Sequence, residues 1–347
     1  MQKEWFIIRR FAFFLIVFVI TISILTLRVA DISLVRGREY AKEAAKQRMF
    51  DSSDTRFRAT ITDRNMIPYA LSSDERYTNP PYAAHVIGYI NDGVGVSGIE
   101  KGLDGEISAK GEAIPHLKDG AGNDIRFFRK NEPEKEERIL KLTLDYHIQK
   151  IAESVLDEEN INGAAVVMDI KSFDVLAMAS RPNYTRDEID KYIESNGTEL
   201  LNRAVAPYNA GSIFKIVTAS AAIEDGFATE DDMHYCGGRM YADGIEFVCH
   251  KEEGHGEISF AEAFAQSCNC AFYKVGGRLG SRRICQFAEK FNMGMPLLGG
   301  VIYENGGNIP KHLVLSDSEA SNLSIGQGEI LITPLQSAQI VSVVAGG

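Results

Sequence analysis

Seventeen consecutive residues, Phe11 to Leu27, carry no charge and are mostly Phe, Ile, Val and Leu. No other stretch constrains the fold so strongly, because such a run must leave water. At about 1.5 Å per residue it nears the lower limit for a spanning helix, and its flanks can extend it. Lys3, Arg9 and Arg10 precede it. The positive-inside rule then puts the N-terminus in the cytoplasm and the bulk of the chain outside. A cleaved signal peptide and a buried core helix are the rivals. The run is long for a signal h-region, and Arg28-Val29-Ala30-Asp31 is a poor cleavage site. The expectation is a cytoplasmic tail over 1–10 and an uncleaved single-pass transmembrane anchor over 11–30, in the plasma membrane.

The 347 residues leave room for two or three domains beyond the anchor. A net charge of -11 argues against a nucleic-acid partner, which needs a basic face. Residues 31–50 continue as a polar helical pattern, a stalk. Arg58 to Asn65 reads as a short strand entering a turn, and 80–125 as an irregular module with many glycines, Asp119 to Asn123 among them. Asn131 to Arg138 is a charge run, read as a solvated loop. At Ile139 the texture changes. Leu140 to Leu144 alternates as a strand, and Asp145 caps a helix with apolar residues at Ile148, Ile151, Ala152, Val155 and Leu156. Gly163 to Ile170 and Phe173 to Ser180 read as a hairpin, and 186–195 as an amphipathic helix. Residues 234–256 read as a hairpin or loop, Phe260 to Gly276 as one helix, and Thr333-Pro334 as the start of another. The expected class is α+β, with a boundary near 138/139.

The chemistry centres on Ala210-Gly211-Ser212-Ile213-Phe214-Lys215 and the apolar helix that continues to Gly226. A spacing of three stacks Ser212 and Lys215 on one helix face. A hydroxyl beside an amine pairs a nucleophile with a base. A Ser at a helix N-terminus also has free N–H groups and a positive dipole end nearby. A lone S-x-x-K is weak, however, and a Ser cap with a snorkelling Lys is the bland alternative. Ser267-Cys268-Asn269 adds a hydroxyl and a carboxamide two apart. Together these four residues match the Ser-Lys acyl-transfer pattern, S-x-x-K followed by S-x-N.

On these motifs the chain resembles the class B penicillin-binding proteins, membrane-anchored peptidoglycan transpeptidases. The resemblance runs along most of the sequence. Arg58 to Asn65 is similar to the family's RGxIxDRNG stretch, and Gly98-Ile99-Glu100 to its GxE motif. Leu142 to Asp145 with Ile148-Gln149, Leu176 to Ser180 with Pro182, and Asn202-Arg203-Ala204 lead to the nucleophile in the family's order. Gly254-His255-Gly256 precedes S-x-N, and Ser324 to Gly328 through Thr333 to Gln336 is similar to the stretch before K-T-G. Departures are Ala59 and Met66 at glycine positions, Ala210 for Pro, Ile213 for Thr, and Ser172-Phe173 for Thr-Gly. No K-T-G occurs between Asn269 and Gly347; the expectation is a C-terminally truncated piece of a longer protein, with a naturally shortened relative as the alternative.

The resemblance implies an anchor, an elongated pedestal over 31–138, and an incomplete penicillin-binding domain over 139–347, with a sheet between helical layers. It implies that Ser212 attacks stem peptides ending in D-Ala-D-Ala, that Lys215 accepts the proton, that Ser267 relays a proton to the leaving D-Ala, and that Asn269 holds the substrate amide and Lys215. It implies β-lactam binding at Ser212, no cofactor, and partners among membrane glycosyltransferases and cell-wall complex proteins. A non-catalytic scaffold and a β-lactam sensor or β-lactamase are the alternatives. Whether the role is elongation, division or sporulation is not legible.

The five cysteines are Cys236, Cys249, Cys268, Cys270 and Cys285, an odd count that defines no disulfide framework. Cys236, Cys249, His250 and His255 could be a hairpin disulfide with two histidines, free thiols, or metal ligands. The spacing C-x12-C-H-x4-H matches no compact zinc pattern. The expectation is no metal, with Cys236, Cys249 and His255 as the candidates if one binds.

Overall fold

The computed structural model describes residues 2–31, 49–50, 56–73, 75–110, 116–117, 138–195, 197–311 and 316–346. The Asp119–Asn123 turn and nearly all of the expected stalk and of the charge run lie outside them. The chain divides into two compact units, 1–56 with 110–136, and 57–109 with 137–347.

In the first unit α1 (Gln2–Ala30) is one continuous helix of 29 residues. Its side chains are described over 15–29 and 31, where Leu15, Ile16, Phe18, Ile24 and Leu27 are exposed. Among the described residues no helix is long and apolar enough to cross a membrane.

The second unit begins with β1 (Thr60–Thr62), which pairs antiparallel with β2 (Pro68–Ala70) and parallel with β3 (Ile139–Lys141). Two charged groups explain why this corner is built as it is. Asp63, fully buried, accepts from the backbone N–H of Asn65, Ile67 and Tyr146. It ties the β1–β2 turn to the start of α2 (Tyr146–Glu158). Glu100, also fully buried, is held between Arg58 and Arg76, and Arg58 reaches Asp104 as well. The Arg58–Asn65 and Gly98–Glu100 motifs are thus two halves of one ion cluster.

Asp145 caps α2 as expected, accepting from His147 N and Ile148 N. β4 (Ala164–Met168) and β5 (Val175–Ser180) form the expected antiparallel hairpin. α2 packs on it, and so does the last helix of the chain. Among the described residues the largest sheet has three strands, so the expected layered sheet is present only as this hairpin with its helices. The 186–195 segment is a 3-10 turn followed by α3 (Ile189–Glu194). Phe173 and Met66 have φ of 60 and 70, the left-handed region. Both stand where the family pattern has glycine, the residue that adopts this region without strain.

β6 (Tyr208–Asn209) precedes a 3-10 turn, Gly211–Phe214, and α4 (Lys215–Glu224). β7 (Met233–Cys236), β8 (Arg239–Ala242), β9 (Ile245–Val248) and β10 (Gly256–Ser259) form two antiparallel pairs, β7 with β10 and β8 with β9. The helix expected over 260–276 is broken into α5 (Phe260–Ala265) and α6 (Asn269–Leu279). α7 (Ser281–Lys290) and α8 (Asp317–Ser324) pack with α4 and α6. β11 (Leu331–Ile332) pairs with β6, and α9 (Pro334–Gly346) follows. Thr333 and Gln336 exchange side-chain and backbone hydrogen bonds at the start of α9, the reciprocal cap its sequence suggests. The core beneath the site is Phe214, Val217, Ala221, Phe272, Ile284 and Leu323, all within a few per cent of full burial.

Candidate active site

Ser212 lies in the 3-10 turn and Lys215 is the first residue of α4, so the pair spans the junction of the two rather than one continuous α-helix as expected. At i and i+3 side chains in this turn eclipse. Gly211 starts it with φ of 58. Its N–H donates to Gly326 O at 2.9 Å. Gly326 itself has φ of 73, and a Cβ there would stand 2.3 Å from Gly211 O. The Ser324–Gly328 stretch is therefore the backbone support of the Ser212 turn.

Ser212 is exposed, whereas Lys215 is 2% exposed. A buried ammonium needs partners. Lys215 Nζ donates to Ser267 O at 2.7 Å, Ser267 Oγ at 2.9 Å and Asn269 Oδ1 at 2.7 Å. Ser267 Oγ lies 3.1 Å from Ser212 Oγ. The four sequence-selected residues thus converge, although Lys215 and Asn269 are 54 positions apart. The break between α5 and α6 makes this geometry. Ser267 sits in it with φ of 54, a conformation unusual for serine that turns its carbonyl and hydroxyl to the same amine.

Burial pushes the Lys215 amine down to about 8 from its usual 10.5, and the Cys249 and Cys268 sulfurs partly oppose this. Near neutral pH both protonation states are then accessible. As an ammonium, Lys215 satisfies three acceptors with three N–H bonds. As an amine, it can keep donating to the two pure acceptors, Ser267 O and Asn269 Oδ1. Its lone pair then faces Ser267 Oγ, whose hydroxyl can rotate to donate to it. Ser267 Oγ can accept from Ser212 in turn. One constellation therefore serves both states, and moving between them moves a proton along Ser212, Ser267 and Lys215.

All five cysteines are free thiols and buried, so Cys236 and Cys249 form no disulfide. Cys236, Cys249 and His255 come together, and Cys268, which spacing did not single out, joins them. The His250 ring lies beside the Ser267 backbone. His250 was considered only with the cysteines, and its reach to the S-x-N turn has no local sequence signal.

The profile of the penicillin binding protein transpeptidase domain matches residues 163–347. Stage V sporulation protein D of Bacillus subtilis is 27% identical over 322 residues, 90% of this chain and 47% of that protein. The structure of a D,D-transpeptidase domain of a peptidoglycan glycosyltransferase from Eggerthella lenta is 27% identical, with a TM-score of 0.66 over 83% of this chain and 69% of that one. Penicillin binding protein 3 of Mycobacterium tuberculosis, complexed with aztreonam, is 28% identical with a TM-score of 0.64, over 83% of this chain and 64% of that one. The chain spans about half the length of the curated relatives it matches. With the profile covering more than half of its residues, and S-x-x-K and S-x-N meeting at one amine, the chain belongs to the penicillin-binding protein transpeptidase family.

Proposed function

We propose that this chain supplies the nucleophile and base of a peptidoglycan D,D-transpeptidase. The observation that carries the reading is the buried Lys215, bonded at once to Ser267 and Asn269, with Ser267 Oγ 3.1 Å from Ser212 Oγ. Ser212 Oγ attacks the carbonyl carbon between the two D-Ala residues of a stem peptide. Its proton passes through Ser267 Oγ to Lys215 Nζ. The C–N bond breaks, and the proton returns through Ser267 to the departing D-Ala amine. The ester on Ser212 is then attacked by the amine of a neighbouring stem peptide, which restores Ser212 and forms the cross-link. A positioned base contributes about 10²–10⁴ to such a step. Asn269 keeps the amine aimed at Ser267 and takes the substrate amide.

A β-lactam presents an amide carbonyl to the same hydroxyl and stays on it as an ester. The likeness to a protein solved with aztreonam supports that reading. Fluorescent penicillin should label the protein, and Ser212→Ala should abolish the label. Labelling that survives Ser212→Ala sinks the assignment. Protein that folds but never labels supports a scaffold instead.

The same proposal places the chain in the plasma membrane as a single-pass protein with an outer catalytic unit. Support comes from the charge-free run over 11–27 and the unbroken helix Gln2–Ala30. The division expected from sequence, a pedestal over 31–138 and a transpeptidase domain over 139–347, belongs to this proposal too. Partners of the reaction would be membrane glycosyltransferases and cell-wall complex proteins. Protease added outside intact spheroplasts should degrade everything beyond the anchor; full protection would refute the orientation.

A further inference from the structure

We propose that Phe272 is a positioning residue of the Ser212 site, the face of its ring holding the charged form of Lys215. Lys215 Nζ stands over that ring, 5.5 Å from its centroid. A cation within about 6 Å of an aromatic face is attracted by the negative potential of the π cloud. Phe272 follows Asn269 by three positions on α6, so it stands on the same helix face. The turn of helix that brings Asn269 Oδ1 to the amine thus brings the ring as well.

The ring is fixed and dry. Phe272 is fully buried, and it packs on Phe260 and Phe264 at centroid distances of 5.4 and 6.3 Å. Water competes for a charge and screens it, and burial of both the ring and the amine removes that competition. The ring also asks for no hydrogen-bond donor. The three N–H bonds of the ammonium go to Ser267 O, Ser267 Oγ and Asn269 Oδ1, and a ring attracts the charge without displacing any of them.

Its effect falls on one protonation state. Ser267 O and Asn269 Oδ1 accept from the amine as well as from the ammonium, whereas attraction to the π face needs the positive charge. The titratable groups facing Nζ are the Cys249 and Cys268 sulfurs, which favour the ammonium, and the His250 imidazole, which opposes it when charged. Burial opposes the ammonium most strongly. In the proposed reaction Lys215 must hold the Ser212 proton until the departing amine collects it, and a partner specific to the ammonium serves that interval. This consequence rests on the transpeptidase reading; the contact of ring and ammonium does not, so the two fail separately.

The test weakens the π face without changing the shape of the side chain. Mono-, di- and trifluorophenylalanine are put in place of Phe272 by stop-codon suppression, because fluorine withdraws density from the ring face. NMR of isotope-labelled lysine reads the Lys215 titration directly, its signal assigned by loss in Lys215→Met. Less attraction means an easier loss of the proton, so the midpoint should fall stepwise, by about 0.4–0.7 pH unit over the series. The same series at Phe260, which packs on Phe272, should leave it in place. The pH inflection of penicillin labelling should follow the NMR midpoint. A midpoint that stays constant across the Phe272 series, or that falls equally with fluorine at Phe260, overturns the proposal. A midpoint that falls while the labelling inflection does not move upholds the contact and overturns Lys215 as the base.

Discussion

Lys215→Met removes the buried amine and keeps an unbranched apolar stem. Its effect on stability at one pH is not diagnostic, because two terms oppose. The fall in the amine from 10.5 to about 8 corresponds to about 3 kcal/mol between its protonation states. Methionine removes that burial cost. It also strands Ser267 O, Ser267 Oγ and Asn269 Oδ1, at about 1–3 kcal/mol for each that water does not reach. The pH slope separates them. Between about 8 and 10.5 the folded protein binds fewer protons at Lys215 than the unfolded chain does. Stability must therefore rise with pH across that window, by up to about 3 kcal/mol, and Lys215→Met must lack the rise. Urea unfolding of both proteins at pH 7 and pH 10 measures it, and tyrosines and cysteines common to both cancel in the difference. The same titration governs chemistry. Labelling of Ser212 by fluorescent penicillin should rise through about pH 8 and level off once the amine is free. In Lys215→Met the rate should fall about 10²–10⁴-fold and lose that inflection. An inflection that persists in the variant, or a rate near that of the unaltered protein, refutes Lys215 as the base.

Glu100→Ala leaves Arg58 and Arg76 buried without their shared carboxylate, and should cost about 3–5 kcal/mol by thermal or urea unfolding. Gly326→Ala drives a Cβ into Gly211 O at a left-handed φ. It should destabilise by more than about 1 kcal/mol and slow penicillin labelling, whereas Gly226→Ala, equally left-handed at φ of 71 but with open space around its Cβ, should cost stability and leave labelling unchanged. Phe173→Gly and Met66→Gly relieve left-handed backbone at two half-exposed side chains. Each should raise stability by a few tenths to about 1 kcal/mol, the relief being partly offset by a looser unfolded chain, and a loss at both sites would contradict the strain reading.

Much of the site could be read without coordinates because its chemistry is carried by residue types at short fixed spacings. Ser212 with Lys215, and Ser267 with Asn269, are such pairs, and their order beside Arg58–Asn65 and Gly98–Glu100 named the family. Asp145, the 163–180 hairpin and the Thr333 cap were legible for the same reason: caps, alternation and turns act over a few residues. The helix over 260–276 was misread because Ser267 and Cys268 give no breaker signal. Their turn is stabilised by Lys215, 52 positions earlier. The Gly211 turn was likewise expected as α-helix, since its support is Gly326.

Local sequence, then, determined the elements, the candidate site residues and the charge-free N-terminal run, because each depends on neighbours along the chain. Tertiary structure alone decided the rest. It placed Glu100 between two arginines, put Ser267 Oγ between Ser212 and Lys215, and drew Cys268 to Cys236, Cys249 and His255. Each of these contacts joins distant positions, and packing a desolvated charge or sulfur beside its partners is a property of the folded interior that no local spacing encodes.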